Sequence, residues 1–181
     1  MGAITSTSSL EEIAARVSEA LEAAGIQAVL GGGAAVTLYS ANEYMSTDLD
    51  FVTVARNKEI ATIVAELGFV RDGKDFVHPE TPYFLEFPAG PLSFGDRYVD
   101  STETTFINTP FGRVRIITPT QCIMDRLAWH IHGPDPQALD QAIMVAKRQD
   151  INWDDIEAWA AAEGVAADVL TKIRNRAGSN R

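Results

Sequence analysis

Apolar residues recur at helical spacing near the start of the chain. Leu10, Ile13, Val17 and Leu21 lie three or four residues apart, which is the spacing of one face of an α-helix. Ser9 precedes this run and suits the N-cap position, where its hydroxyl can accept a backbone N–H from the first turn. The pattern therefore predicts an amphipathic helix that begins directly after Ser9.

Short apolar runs between turn residues predict β-strands in the region that follows. The predicted strands are 26–30, 48–54, 69–71, 76–78, 84–87, 104–107 and 113–117. Predicted helices cover 34–39 and 57–67, with Asn57 as the cap of the second. Residues 88–97 contain proline and glycine and are predicted to form a loop.

The predicted secondary structure changes after residue 117 from mixed strands and helices to helices alone. Predicted helices follow one another at 121–130, 137–148, 154–162 and 166–176, and Thr118 and Pro119 suit the start of the first. We therefore expect an α/β (α+β) core over 1–117 and a C-terminal helical region over 118–181 packed on it. The tryptophans are expected to be packing anchors between helices, with the alternative that one of them lines a pocket: Trp129, Trp153 and Trp159.

Composition narrows the class of protein. With 46% hydrophobic residues the chain is typical of a globular protein. The 15 basic and 25 acidic residues give a net charge of −10, so we expect no broad nucleic-acid surface. A single cysteine, Cys122, excludes an intramolecular disulfide, and we see neither a signal peptide nor an apolar run long enough for a membrane span. The expected location is cytoplasmic.

Two aspartates in the predicted strand 48–54 carry the strongest chemical signal. Asp48 and Asp50 are two residues apart, so they project from one side of the strand while Leu49 and Phe51 point into the core. Two carboxylates on one face repel each other unless a cation lies between them. Mg2+ (or Mn2+) held by one or two carboxylates and by substrate phosphates is a common solution.

The glycine run Gly31-Gly32-Gly33 lies between a predicted strand and a predicted helix. Without Cβ atoms, the backbone N–H groups there can approach a ligand closely, and the start of a helix favours phosphate. The glycines are not followed by Lys-Ser/Thr, so this is not a P-loop.

A two-metal site would need a third carboxylate. Glu86 is the candidate, because it is the one acid in the apolar strand Tyr83-Phe-Leu-Glu-Phe87. Two metal ions would stabilise both the attacking and the leaving oxygen in a displacement at phosphorus.

The order Gly-Gly, helix, Ser46-x-Asp48-x-Asp50 and a later strand acid resembles the DNA-polymerase-beta-like nucleotidyltransferase superfamily. The sequence is most similar to the small bacterial members related to abortive-infection toxins. The resemblance implies the nucleotidyltransferase fold, a mixed β-sheet flanked by helices. It also implies phosphate contacts from Gly31 and Gly32 (or Gly32 and Gly33) and from Ser46, metal binding by Asp48, Asp50 and Glu86, and a phosphate contact from Arg126.

The predicted function is metal-dependent transfer of a nucleoside monophosphate from a nucleoside triphosphate such as ATP. The acceptor would be a hydroxyl of a small molecule, a protein or an RNA end. The resemblance also admits a toxin with an antitoxin partner, and a homo-dimer. Two alternatives stay open: a catalytically inactive nucleotide-binding or interaction module, and a structural protein with a chance Asp-x-Asp. Arg126 could also simply pair with Asp125 or Asp140.

Overall fold

The computed structural model describes residues 3–133 and 135–178, so the ends of the two predicted regions at 1–2 and 179–181 lie outside it. The α-helices are α1 (Leu10–Ala23), α2 (Gly32–Tyr39), α3 (Asn57–Ala65), α4 (Pro119–His132), α5 (Ala138–Ala146), α6 (Trp153–Glu163) and α7 (Ala167–Gly178). The strands are β1 (Val29–Leu30), β2 (Asp48–Val52), β3 (Val70–Asp72), β4 (Asp75–His78), β5 (Thr81–Glu86), β6 (Ser93–Phe94), β7 (Arg97–Tyr98), β8 (Thr105–Thr109) and β9 (Gly112–Ile116).

Seven of these strands form one mixed sheet in the order β3-β4-β5-β2-β1-β9-β8. β2 is parallel to β5, and β1 is antiparallel to β2 but parallel to β9. β6 and β7 form a separate two-stranded sheet. The predicted fold class, a mixed sheet flanked by helices, is confirmed.

Alternation along β2 fixes which side of the sheet each of its residues faces. Leu49 and Phe51 are fully buried, while Asp48 and Asp50 lie on the other side and are partly exposed. Period-two alternation with one buried face is what pins the register of a strand. The two aspartates are therefore placed by the burial of their apolar neighbours.

The helices begin where the sequence offers caps. The Ser9 hydroxyl accepts the N–H of Glu12 at 3.1 Å at the start of α1. Thr118 accepts the N–H of Gln121 at 3.1 Å, with Pro119 as the first residue of α4. Both starts agree with the predicted ones.

The C-terminal helices pack against α2 as well as against one another. One hydrophobic cluster contains residues from both predicted regions. The Tyr39 hydroxyl donates to the carbonyl of Ile117 at 2.6 Å, and Gln149 donates to the carbonyl of Tyr39 at 2.9 Å. The division of the chain at 117/118 stays a prediction.

Three local predictions were wrong. The strand predicted over 26–30 is only Val29–Leu30, because the N–H of Ile26 instead closes the end of α1 on the carbonyl of Leu21 at 2.9 Å. The N-cap of α3 is Arg56 rather than Asn57, and the Glu59 carboxylate accepts the Arg56 N–H at 3.4 Å. The predicted loop 88–97 contains β6 and the start of β7, because Phe94 supplies a fully buried anchor.

None of the helices within 3–133 and 135–178 combines the length and the apolar character needed to cross a bilayer.

Candidate functional site

A cleft of about 430 Å³ lies where the start of α2, strand β2 and helix α4 meet. Seven of the eight predicted site residues line it: Gly31, Gly32, Gly33, Ser46, Asp48, Asp50 and Arg126. Glu86, the eighth, is not among the lining residues. The glycine turn and the two aspartates therefore share one concave site. A structural protein with a chance Asp-x-Asp would have no cleft joining Gly32 and Asp50, so this observation contradicts that alternative.

Glu86 occupies the strand next to the aspartates. β2 and β5 run parallel, and Asp50 is paired directly with Glu86 across the two strands. Residues paired in register project from the same side of a sheet. The Glu86 carboxylate accepts a hydrogen bond from the Lys74 ammonium, with 2.9 Å between Nζ and Oε2. Glu86 is thus on the predicted side, but its carboxylate is engaged by a lysine.

The glycine turn is built around the Asp50 carboxylate. Gly32 has a φ of +58°, and a Cβ on it would lie 2.2 Å from Oδ2 of Asp50. The N–H of Gly31 donates to the carbonyl of Asp50 at 2.9 Å, so it is already used. Gly32 and Gly33 open helix α2, whose first N–H groups have no partner within the helix. The N–H groups of Gly32 and Gly33 are therefore better placed than that of Gly31 to donate to a phosphate oxygen.

A buried threonine orders the loop that carries Ser46. The Thr37 hydroxyl donates to the carbonyl of Gly33 at 3.1 Å and accepts the N–H of Ser46 at 3.0 Å. The Ser46 hydroxyl in turn donates to the Asp48 carboxylate. Ser46 therefore orients the first aspartate in this structure.

Arg126 is buried among polar partners. Its guanidinium donates to Asp125 at 2.6 Å and to the Gln141 side chain at 3.1 Å, and it lies 3.9 Å from the Asp135 carboxylate. The alternative of a pair with Asp125 is therefore realised, whereas Asp140 pairs with Arg176 at 2.8 Å. A role of Arg126 toward phosphate stays a prediction.

Several cleft residues escaped the sequence analysis. Asp125 and Asp135 add two carboxylates to the lining, and Leu92, Ser93 and Phe94 form another part of it. Trp129 also lines the cleft with 47% of its surface exposed, so it is the tryptophan that lines a pocket and not a packing anchor. The signal that could have identified Asp125 is its position beside Arg126 in the first helix after the sheet.

Burial and nearby negative charge raise the pKa of the Asp50 carboxyl group. Burial, followed by the nearby charges of Asp48, Glu86 and Asp125, raises the pKa of Asp50 to about 7, against the lowering effect of Arg126. A carboxyl group with such a pKa is only partly ionised at neutral pH. A bound cation would relieve this repulsion.

We expect Asp50→Asn to stabilise the protein at high pH. The pKa of Asp50 is higher in the folded protein than the ordinary value of 3.8 for an aspartate carboxyl group. The contribution of the protonated Asp50 carboxyl to the free energy of unfolding is therefore fully present below about pH 4 and is lost as the pH rises through about 7. The free energy of unfolding in urea should be nearly equal for wild type and Asp50→Asn at pH 4, whereas the variant should be about 1–3 kcal/mol more stable at pH 8. A pH-independent difference would contradict this origin.

The residues present fit a divalent cation in part. Asp48 and Asp50 offer the one or two carboxylates with which Mg2+ commonly binds alongside phosphates, and the carboxylates of Asp48, Glu86 and Asp125 lie near enough to Asp50 to raise its pKa further than burial alone. In the described ranges, however, no three His, Cys, Asp or Glu side chains are arranged as a metal site. Glu86 would have to leave Lys74 to join Asp48 and Asp50.

Structural comparison shows a fold similar to that of a nucleotidyltransferase-like protein and of an antibiotic-resistance factor. The chain matches an antigenic nucleotidyltransferase-like protein from Paracoccidioides brasiliensis with a TM-score of 0.56 at 17% identity, covering 78% of this chain and 77% of that one. It matches the solution structure of the antibiotic-resistance factor ANT(2'')-Ia with a TM-score of 0.57 at 15% identity, covering 92% and 96%. A crystal structure of ANT(2'')-Ia in complex with adenylyl-2''-tobramycin gives a TM-score of 0.52 at 15% identity, covering 92% and 97%. No protein-family model and no curated protein matches the sequence.

Proposed function

We propose that this protein transfers a nucleoside monophosphate from a nucleoside triphosphate to a hydroxyl of a small molecule, with Mg2+ or Mn2+ as the cofactor. The observation that carries the proposal is the convergence of the Gly32 turn and the Asp48/Asp50 pair on one cleft. The nucleotidyltransferase fold of the structural neighbours supports it.

Each residue of the cleft then has a defined role. Asp48 and Asp50 would hold the cation, which supplies positive charge for the triphosphate and the pyrophosphate leaving group. The N–H groups of Gly32 and Gly33 would bind phosphate oxygens at the start of α2. Ser46 would hold Asp48 in position and is close enough to the turn to contact phosphate, since a Cβ on Gly33 would lie 2.7 Å from its hydroxyl.

Glu86 is the proposed base for the acceptor hydroxyl. It is paired with Asp50 across the sheet, so its carboxylate would have to leave Lys74 and turn toward the acids of β2 to take this role. A base must come within hydrogen-bond distance of the proton it removes, and such contacts are often completed only when substrates bind.

The cleft favours a small acceptor with positive charge. Asp125 and Asp135 add negative charge, and the exposed face of Trp129 can stack on a cationic group. The adenylyl-2''-tobramycin in complex with ANT(2'')-Ia is a small adenylylated ligand on a similar fold. Protein and RNA acceptors, and a toxin with an antitoxin, rest on the sequence resemblance alone.

The Lys74–Glu86 ion pair favours one second candidate, an inactive nucleotide-binding module. If Glu86 stays on Lys74, the cleft could bind a triphosphate through Asp48 and Asp50 without a third carboxylate. This candidate predicts binding of a triphosphate without transfer to any acceptor.

The two candidates separate in one assay. The protein is incubated with Mg2+ and an α-labelled nucleoside triphosphate, with each of the four nucleobases in turn. We expect it to transfer label to hydroxyl compounds that carry amino groups and less well to neutral sugars. Asp48→Ala/Asp50→Ala should abolish the transfer. Binding by calorimetry without label transfer would favour the inactive module, and no binding in the presence of metal would reject both.

A further inference from the structure

We propose that Glu163 and Trp159, both on helix α6, are positioning residues that hold the 93–98 hairpin (β6, its turn and β7) as one side of the cleft. The anchoring stands on contacts alone, whereas its effect on catalysis rests on the function proposed above. Ser93 and Phe94 of this hairpin line the cleft. The hairpin is not paired with the main sheet, and an isolated two-stranded hairpin is only marginally stable. Its place therefore depends on side-chain anchors.

Trp159 provides the first anchor. Its indole N–H donates to the carbonyl of Phe94 at 3.0 Å, and both residues are almost completely buried. The bond fixes the strand β6 at the residue that lines the cleft. Loss of the donor would remove one buried hydrogen bond between the hairpin and α6, which is costly.

Glu163 provides the second anchor, at the turn of the hairpin. Its side chain is only 8% exposed, and its Oε1 accepts the N–H of Asp96 at 2.8 Å. The turn is shaped for this carboxylate, because Gly95 has a φ of +59° and a Cβ there would lie 2.0 Å from Oε2 of Glu163. The same carboxylate lies 3.8 Å from Nε2 of His132, at the end of α4. One carboxylate thus connects the hairpin turn, α4 and α6.

The other polar contacts of the hairpin are weaker. Arg97 pairs with Glu103 at 3.2 Å, but both side chains are substantially exposed, and exposed ion pairs contribute little. Arg97 also lies 3.8 Å from the sulfur of Met124. The contacts from α6 are therefore the ones that determine the position of the turn.

Movement of the hairpin would alter the cleft directly. A second hollow of about 280 Å³ adjoins the cleft, lined by Gly95 and His132 among others, and Ser93, Asp125 and Trp129 line both hollows. A shift at residues 93–95 would change the width of the cleft beside Trp129. Helix α6 would thus influence ligand binding although neither Glu163 nor Trp159 lines the cleft.

Hydrogen exchange of the ligand-free protein tests the anchoring. In Glu163→Ala, the amides of 93–98 should exchange about tenfold faster, the factor that corresponds to one lost buried hydrogen bond, while β1 and β2 exchange at the wild-type rate. Glu163→Gln keeps an oxygen for the Asp96 N–H and should restore slow exchange. Trp159→Phe should accelerate exchange in the hairpin. The matched control Glu157→Ala should not, because Glu157 is an exposed residue of α6 that pairs with Arg174 at 2.6 Å. Unchanged exchange at 93–98 in Glu163→Ala, or equal acceleration in β1 and β2, would overturn the proposal.

Steady-state kinetics test the consequence for the cleft. For the substrates that wild type uses, Glu163→Ala should raise KM about tenfold with kcat changed less than twofold, and Glu163→Gln should return KM to near the wild-type value. A fall in kcat at constant KM would overturn the assignment as a positioning residue of the cleft. If wild type uses no triphosphate, the proposed function fails, whereas the exchange experiment still decides the anchoring.

Discussion

Replacing Asp50 with asparagine is expected to lower nucleotidyl transfer by about 10²- to 10³-fold, the usual cost of removing one preorganised electrostatic group from an active site. Asparagine has nearly the same size but carries no charge, so it cannot neutralise a metal ion. The activity would fall although the variant is more stable than wild type above pH 7, because wild type must keep a carboxylate that is buried and also repelled by Asp48, Glu86 and Asp125. A drop in activity with a gain in stability cannot be attributed to unfolding.

The measurement is initial-rate label transfer with saturating Mg2+, alongside urea unfolding of the same preparations without metal, since bound Mg2+ would itself stabilise the wild type. Asp72→Asn is the matched control, because Asp72 lies exposed on the edge strand β3. It should leave transfer within a factor of two. Asp50→Asn with more than a tenth of the wild-type rate would show that Asp50 does not hold the metal.

The local part of the site was predictable because it depends on short-range geometry. Asp48 and Asp50 share a face as a consequence of strand period, and the burial of Leu49 and Phe51 determines which face that is. The glycine turn is likewise a local feature. The start of α2 differs from the predicted one, because the helix begins at Gly32 rather than at Ala34. Gly32 and Gly33 therefore lie in the first turn of the helix instead of preceding it.

The distant part of the site was not predictable because it depends on how elements pack. Glu86 was identified from its apolar strand, but its bond to Lys74 requires the β4–β5 pairing that brings the start of β4 beside the end of β5. Asp125 and Asp135 reach the cleft only once α4 and the segment before α5 are placed. Neither has a periodic signal that distinguishes it from an ordinary surface acid.

The 93–98 hairpin illustrates how tertiary contacts override local propensity. Pro91 and Gly95 lie in or beside it and are typical of loops, so the sequence favoured a loop. Burial of Phe94 and the hydrogen bond from Trp159, 65 residues away in the chain, stabilise a hairpin instead. A long-range donor of this kind leaves no trace in a local window of sequence.

Gly32→Ala tests whether the backbone of the turn positions the Asp50 carboxylate. An alanine there adopts a φ of +58° and places its Cβ 2.2 Å from Oδ2 of Asp50. The atom that it meets is the end of a side chain, so the carboxylate can rotate away and the fold can survive. We therefore expect transfer to fall by about 10²-fold, as for a displacement of about 1 Å in a catalytic group.

Gly73→Ala separates displacement from backbone strain. Gly73 has a φ of +63°, and a Cβ there would meet nothing within 4 Å. Both variants should lose about 1–2 kcal/mol of unfolding free energy from the left-handed backbone, but Gly73→Ala should keep wild-type transfer. In Gly32→Ala the displaced carboxylate should also bind Mn2+ more weakly in a titration of the ligand-free protein. Equal transfer by the two variants would mean that the turn tolerates a side chain and that Asp50 is positioned by its strand alone.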